Sequence, residues 1–242
     1  MLDRRGLLAL AALLPGTALA QGALTAEQRA EVLQILRRAL AEDPSILREA
    51  MASLEAAEQA QRIQLQTRAI AQQSEALFRD PADPVKDNPQ GAITIVEFFD
   101  ARCGFCKQLH PVMEQLITRE RDVRVVMKDL PILGPNSVFA SRALLAAHRQ
   151  GQYVPLYNAL MRLREEPTEP VIRREAERLR LDWTRLRREL DDPAIQDRIA
   201  RNMDLARGLD IQGTPALIIG TALLPGALDL ATLQRLTAQQ RG

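Results

Sequence analysis

Apolar residues along this chain change their period several times, and each change marks a boundary. Behind a capping box formed by Thr25 and Gln28, Val32, Leu33, Leu36 and Leu40 recur at helical spacing. Asp43-Pro44 closes that helix and opens a second, in which Leu47, Met51, Leu54 and Ala57 form a narrow stripe that fades after Ile63. From residue 21 to about 78 the chain is therefore expected to be a helical arm that buries little of itself. It is either a solvated spacer or a segment whose stripe packs on further copies of the chain. Residues 79–91 hold three prolines and three aspartates and read as a linker.

Beyond the linker the pattern changes. Ala92–Phe99 is a β-branched and aromatic run suited to a buried strand, Lys107–Arg119 returns to helical spacing with Pro111 inside it, and Val123–Met127 is a second strand. A helix between two strands implies a parallel pair with a right-handed crossover. Residues 136–207 are almost wholly helical, in five segments. They are rich in Arg and Glu, which suits exposed faces with weak ion pairs. Strand character returns at 212–220, followed by a short edge strand and turn at Leu223-Leu224-Pro225-Gly226 and a last helix capped by Asp229. Proline at 215 is tolerable only at a strand's first residue or at an edge.

Cys103 and Cys106, the only two cysteines, fall where the first strand gives way to its helix. Unpaired N–H groups and the positive end of the helix dipole favour an anionic sulfur at Cys103. Cys106 stands one turn further on, close enough to close a disulfide or to resolve a mixed one. A structural zinc site needs four ligands, and the chain has only His110 and His148 to add. Thiol–disulfide exchange is the reading the spacing favours. Binding of Cu(I) by the same dithiol is the alternative.

Charge and export set the surroundings. The formal net charge is +1, which argues against a nucleic-acid surface. Arg4 and Arg5, the apolar Gly6–Leu14 and the small residues Ala18-Leu19-Ala20 read as a signal peptide over residues 1–20, with Arg4-Arg5-Gly6-Leu7-Leu8 similar to a twin-arginine signal. The expected compartment is the periplasm, where disulfides persist.

Strand, Cys-Gly-Phe-Cys, helix, strand, helical insertion at about 136–207, Gly213-Thr214-Pro215, hairpin and terminal helix together resemble the DsbA-like thiol–disulfide oxidoreductases of the thioredoxin superfamily. The resemblance covers residues 92–242 and implies an α/β thioredoxin-like fold with a helical insertion, preceded by the α-helical arm. It assigns Cys103 as nucleophile and Cys106 as resolving cysteine, Gly104-Phe105 as the dipeptide that tunes the couple, and Thr214-Pro215 as a cis-proline loop against the disulfide. Glu97 matches a buried acid beneath the site and Lys128 its basic partner, an ordinary ion pair at the sheet edge being the plainer alternative for both. No cofactor is implied beyond a redox-active Cys103–Cys106 disulfide. The implied partners are unfolded or misfolded exported proteins, a membrane redox protein and, through the arm, a homo-oligomer. Neither Gly104 nor Phe105 offers a side-chain donor, so the thiolate should be less stabilised than in the strongest oxidases. Its pKa is expected between about 7, as in thioredoxin, and about 3.5, as in DsbA, and oxidase and isomerase directions both remain open.

Overall fold

The computed structural model describes residues 24–241, so the leader expected over residues 1–20 lies outside the described residues. The chain divides into two compact units, the first ending at Glu58 and the second spanning Gln59–Gly242. The division falls inside a helix and not at residue 78. The first unit holds α1 (Ala26–Glu42) and the start of α2 (Ser45–Gln72). Thr25 and Gln28 make the reciprocal capping bonds expected of them, at 2.9 and 3.2 Å. Within this unit Val32, Leu36, Leu47, Met51 and Leu54 stay exposed.

The second unit is a five-stranded mixed sheet of order β1-β3-β2-β4-β5, with β1 at Val85–Asp87, β2 at Ile93–Phe99, β3 at Val123–Asp129, β4 at Ala216–Ile219 and β5 at Ala222–Pro225. The crossover helix α4 (Gly104–Arg119) continues through Pro111 and joins the parallel pair β2 and β3. The segment read as a linker departs from expectation. It contains β1, which pairs antiparallel with the free edge of β3. Three residues with one apolar side chain carry no period to read; backbone pairing makes this strand. The helix expected through residue 78 is also interrupted at Gln73, and α3 (Ser74–Phe78) resumes beyond it. That break lets Ile70 and Leu77 both reach the core.

Alternation along the strands sorts side chains to two faces. Ile95, Phe99, Val125, Met127, Leu217 and Ile219 face α4, α5 (Pro135–His148), α6 (Tyr153–Arg162) and the rest of the helical insertion. That insertion is completed by α7 (Glu169–Arg178), α8 (Trp183–Glu189) and α9 (Pro193–Gly208), and Trp183 packs on its core. Val96, Phe98, Val126, Ala216 and Ile218 face the end of α2, α3 and the end of α9. A final helix, α10 (Leu230–Gln239), is capped by Asp229.

Asp129 ends β3 on the first face, fully buried, and accepts a hydrogen bond from the Tyr153 hydroxyl at 2.8 Å. Burial pushes its carboxyl up to about 7, against the opposing pull of the Tyr153 bond. An unfolded aspartate ionises near 3.9. Between about pH 4 and pH 7 the folded chain thus keeps a proton that the unfolded chain gives up, and stability falls as pH rises through that window, levelling above it. Asp129→Asn removes the dependence. Relative to wild type, its urea midpoint should rise between pH 4 and pH 8, by a stability difference of up to about 4 kcal/mol at roughly 1.4 kcal/mol per unit; a constant difference across that range would contradict the assignment.

Candidate active site

The turn from β2 into α4 is built by Asp100. Its buried carboxylate accepts from the Arg102 amide at 2.8 Å, the Ser137 hydroxyl at 2.8 Å and the Ile132 and Leu133 amides at 2.9 and 3.1 Å, while its carbonyl accepts from the Cys103 amide at 3.0 Å. One side chain therefore ties the cysteine loop, the segment after β3 and the start of α5 together. Sequence reasoning passed over Asp100. The available signal was its place three residues before Cys103, where a short acceptor can fold a turn back on itself.

Cys103 is the N-cap of α4 and is 7% exposed, whereas Cys106 is fully buried. As a thiol, Cys103 donates to the Thr214 carbonyl at 3.1 Å. The Thr214-Pro215 bond is cis, and β4 begins at the next residue, so the loop lies directly against the sulfur. Ionised, Cys103 draws on donors: first the Cys106 thiol, then Thr214 and the amides of Cys106 and Phe105. These outweigh its burial and hold its pKa near 5. That value falls inside the interval expected for a Gly-Phe dipeptide. Burial pushes Cys106 in the opposite direction, far above the ordinary thiol range. At neutral pH one sulfur is an anion and its neighbour keeps a proton. Phe105 does not pack inward; it is 62% exposed, and Ile132 and Leu133 are exposed as well.

Glu97 and Lys128 do not meet. In the parallel register Glu97 pairs with Met127 while Lys128 pairs with Phe98, so the two side chains point to opposite faces of the sheet. Neither belongs to a sheet-edge ion pair, because β2 and β3 are interior strands. On the second face Lys128 is bonded to Asp83 and to the Ala76 carbonyl at 2.7 Å, beside Arg198, which bridges Asp80 and Asp83. That cluster fastens α3, β1 and α9 to the sheet.

On the first face Glu97 is fully buried. One carboxyl oxygen accepts from the Tyr157 hydroxyl at 3.1 Å and the other has no partner. Burial raises its pKa, opposed first by Lys86. The basic residue that faces Glu97 is thus Lys86 of β1, 2% exposed, with its ammonium 4.9 Å from the Tyr157 ring centre, 3.4 Å from the Asn158 amide oxygen and ion-paired with Glu114. Lys86 was hidden in the segment read as a linker, where a lone lysine carries no signal of burial. Among the described residues no three His, Cys, Asp or Glu side chains gather as a metal site.

A mixed sheet of this order, a dithiol at the start of the crossover helix and a cis-proline loop against the first sulfur define a thioredoxin-fold dithiol protein with a helical N-terminal region. Residues 94–238 match the family model described as the DSBA-like thioredoxin domain, and the chain belongs to that family. Two solved structures extend the likeness. Proteus mirabilis ScsC in a transitional conformation is 31% identical, with a TM-score of 0.67 over 90% of this chain and 97% of that one. The thiol-disulfide exchange protein alpha-DsbA2 from Wolbachia pipientis is 27% identical, with a TM-score of 0.69 over 74% of this chain and 97% of that one. A Na(+)/H(+) antiporter NhaA 3 from Salinispora tropica is 32% identical over 159 residues, 63% of this chain, and the match spans only 24% of that protein's length.

Alkylation tests the sulfur asymmetry. Cys103 should react with iodoacetamide along a titration centred near pH 5, and in Cys106→Ala, which loses the strongest donor, the midpoint should move up by about one unit or more. An unchanged midpoint would remove Cys106 from the explanation. Lys86→Met should push Glu97 further toward its neutral acid, read as a carboxyl titration moved to higher pH by infrared or NMR spectroscopy, whereas Lys128→Met should lower stability and leave that titration in place. Asp100→Ala should cost on the order of 3 kcal/mol in chemical denaturation, because four donors lose a charged acceptor.

Proposed function

We propose that this chain is a periplasmic thiol–disulfide oxidoreductase acting on exported proteins through Cys103 and Cys106. The observation that carries the proposal is the stabilised Cys103 sulfur lying beneath the cis-proline loop, one helical turn from a buried thiol. The Cys103 thiolate attacks a client disulfide, forming a mixed disulfide and expelling one client thiolate. Cys106 then passes its proton toward the Glu97 carboxylate and attacks the Cys103 sulfur. The Cys103–Cys106 bond forms, the second client thiolate leaves, and two electrons have moved to the client; the same steps in reverse oxidise a client dithiol. A membrane redox partner resets the dithiol. The leader-like residues 1–20 support the compartment.

A groove of about 550 Å³ beside the cis-proline loop, walled by Ile63, Ile211, Thr214, Pro215 and Leu223, suits an extended client segment, whose backbone can pair beside Pro215. The exposed stripe of the first unit fits self-association of the arm. Cys103→Ser should abolish insulin reduction and RNase refolding, and Cys106→Ser should accumulate mixed disulfides visible on non-reducing gels. Turnover by Cys103→Ser would end the proposal. Replacing Leu47, Met51 and Leu54 together by Asp should reduce the mass measured by light scattering to that of a single chain, and an unchanged mass would show that the stripe does not assemble the protein.

A further inference from the structure

We infer that a cationic cleft at the start of α4 admits disulfides carrying carboxylates near sulfur, a selectivity that rests on the exchange chemistry proposed above. The cleft has a volume of about 530 Å³ and is lined by Arg102, Lys107, Arg162, Arg164, Glu165 and Glu166, with Gly104 at its rim. Within it Glu166 is held by Arg102, and Glu165 is paired with Arg174. Among the described residues Lys107, Arg162 and Arg164 form no ion pair, although Glu114 feels Arg162 at longer range. Lys107 is fixed by a bond from its ammonium to the Leu163 carbonyl at 3.0 Å and lies within Coulombic reach of the Cys103 sulfur. A Cβ placed on Gly104 would meet nothing within 4 Å, so the cleft is open at the residue next to Cys103.

Two acidic side chains are thus already paired while three cations have no ion pair among the described residues, Lys107 feeling Glu166 and Asp100 only at longer range, on a chain whose overall formal charge is only +1. A local excess of positive charge beside a nucleophile raises the concentration of anionic partners and lowers that of cationic ones. The nucleophile is itself an anion, and the same cations offset its repulsion of an incoming carboxylate. In the step concerned, the Cys103 thiolate displaces one carboxylate-bearing thiolate and forms a mixed disulfide. Cys106, losing its proton, then closes the Cys103–Cys106 bond and expels the second thiolate, so the small disulfide gains two electrons and the protein loses two. The carboxylates belong either to a small acidic disulfide of the glutathione type or to acidic residues flanking a client cystine.

The test compares rates of Cys103 oxidation in the reduced full chain by three probes at low salt: dithiodipropionate, cystamine and neutral hydroxyethyl disulfide. In Arg162→Ala/Arg164→Ala the dithiodipropionate rate should fall about three- to tenfold, the cystamine rate should rise, and the neutral rate should stay within about twofold. Arg188→Ala, which removes an exposed charge from α8, should alter none of them, and 1 M salt should erase the effect. An unchanged ratio of anionic to cationic rates overturns the inference. Failure of the neutral probe to react with Cys103 in wild type would instead defeat the exchange reading itself. Glutathione disulfide and a glutamate-flanked peptide cystine then separate the sources. A loss for either in the double variant assigns the cleft to that source, a loss for both to the shared chemistry, and a loss for neither overturns the inference.

Discussion

A sulfur anion held almost out of solvent needs donors, and the arrangement of the second unit follows from supplying them to Cys103 while withholding them from Cys106. The start of α4 provides amides, the cis-proline loop closes over the sulfur, and the neighbouring thiol adds a hydrogen bond of its own. Three residues along the same helix, burial leads, joined by the hydrogen bond that Cys106 gives to Cys103 and by the charges of Cys103 and Glu97, and the proton stays on. Desolvation thus raises both sulfurs, while the hydrogen bond between them lowers one and raises the other. The difference between them leaves an anion and a protonated thiol within one helical turn.

That asymmetry depends on a turn which would not hold itself. Asp100 gathers amides from the cysteine loop and from the segment after β3, so the position of Cys103 is fixed by an acceptor belonging to neither cysteine. Beneath it the sheet separates two buried charge clusters by the parity of its strands. Glu97, Tyr157, Lys86 and Glu114 lie on the face shared with α4. Asp80, Asp83, Lys128 and Arg198 lie on the other. The first cluster leaves one Glu97 carboxyl oxygen unpartnered, within Coulombic reach of Cys106. The second is closely paired and suits structure, since breaking one member would strand a buried charge.

The surroundings of the dithiol are also unequal. The groove by the cis-proline loop mixes apolar walls such as Ile63, Ile211 and Leu223 with polar ones such as Arg62 and Gln212, and a separate cleft at the start of α4 offers positive charge. Phe105, Ile132 and Leu133 are left exposed.

What the sequence determined by itself is whatever depends on neighbours along the chain. Thr25 with Gln28 and Asp229 mark helix starts through bonds that span three residues, and the structure places caps at each. The dithiol at a strand-to-helix junction and the proline before β4 were legible for the same reason. The tertiary structure alone decided which distant groups share a face. Lys128 fitted the role of a basic partner in linear order, yet the period of two along β3 turns it away from Glu97. Lys86 took that place from a three-residue edge strand whose pairing is made by backbone groups and leaves no pattern in the side chains. Asp100, likewise, became the organiser of the turn only when the segment after β3 and the start of α5 came within hydrogen-bond reach of it.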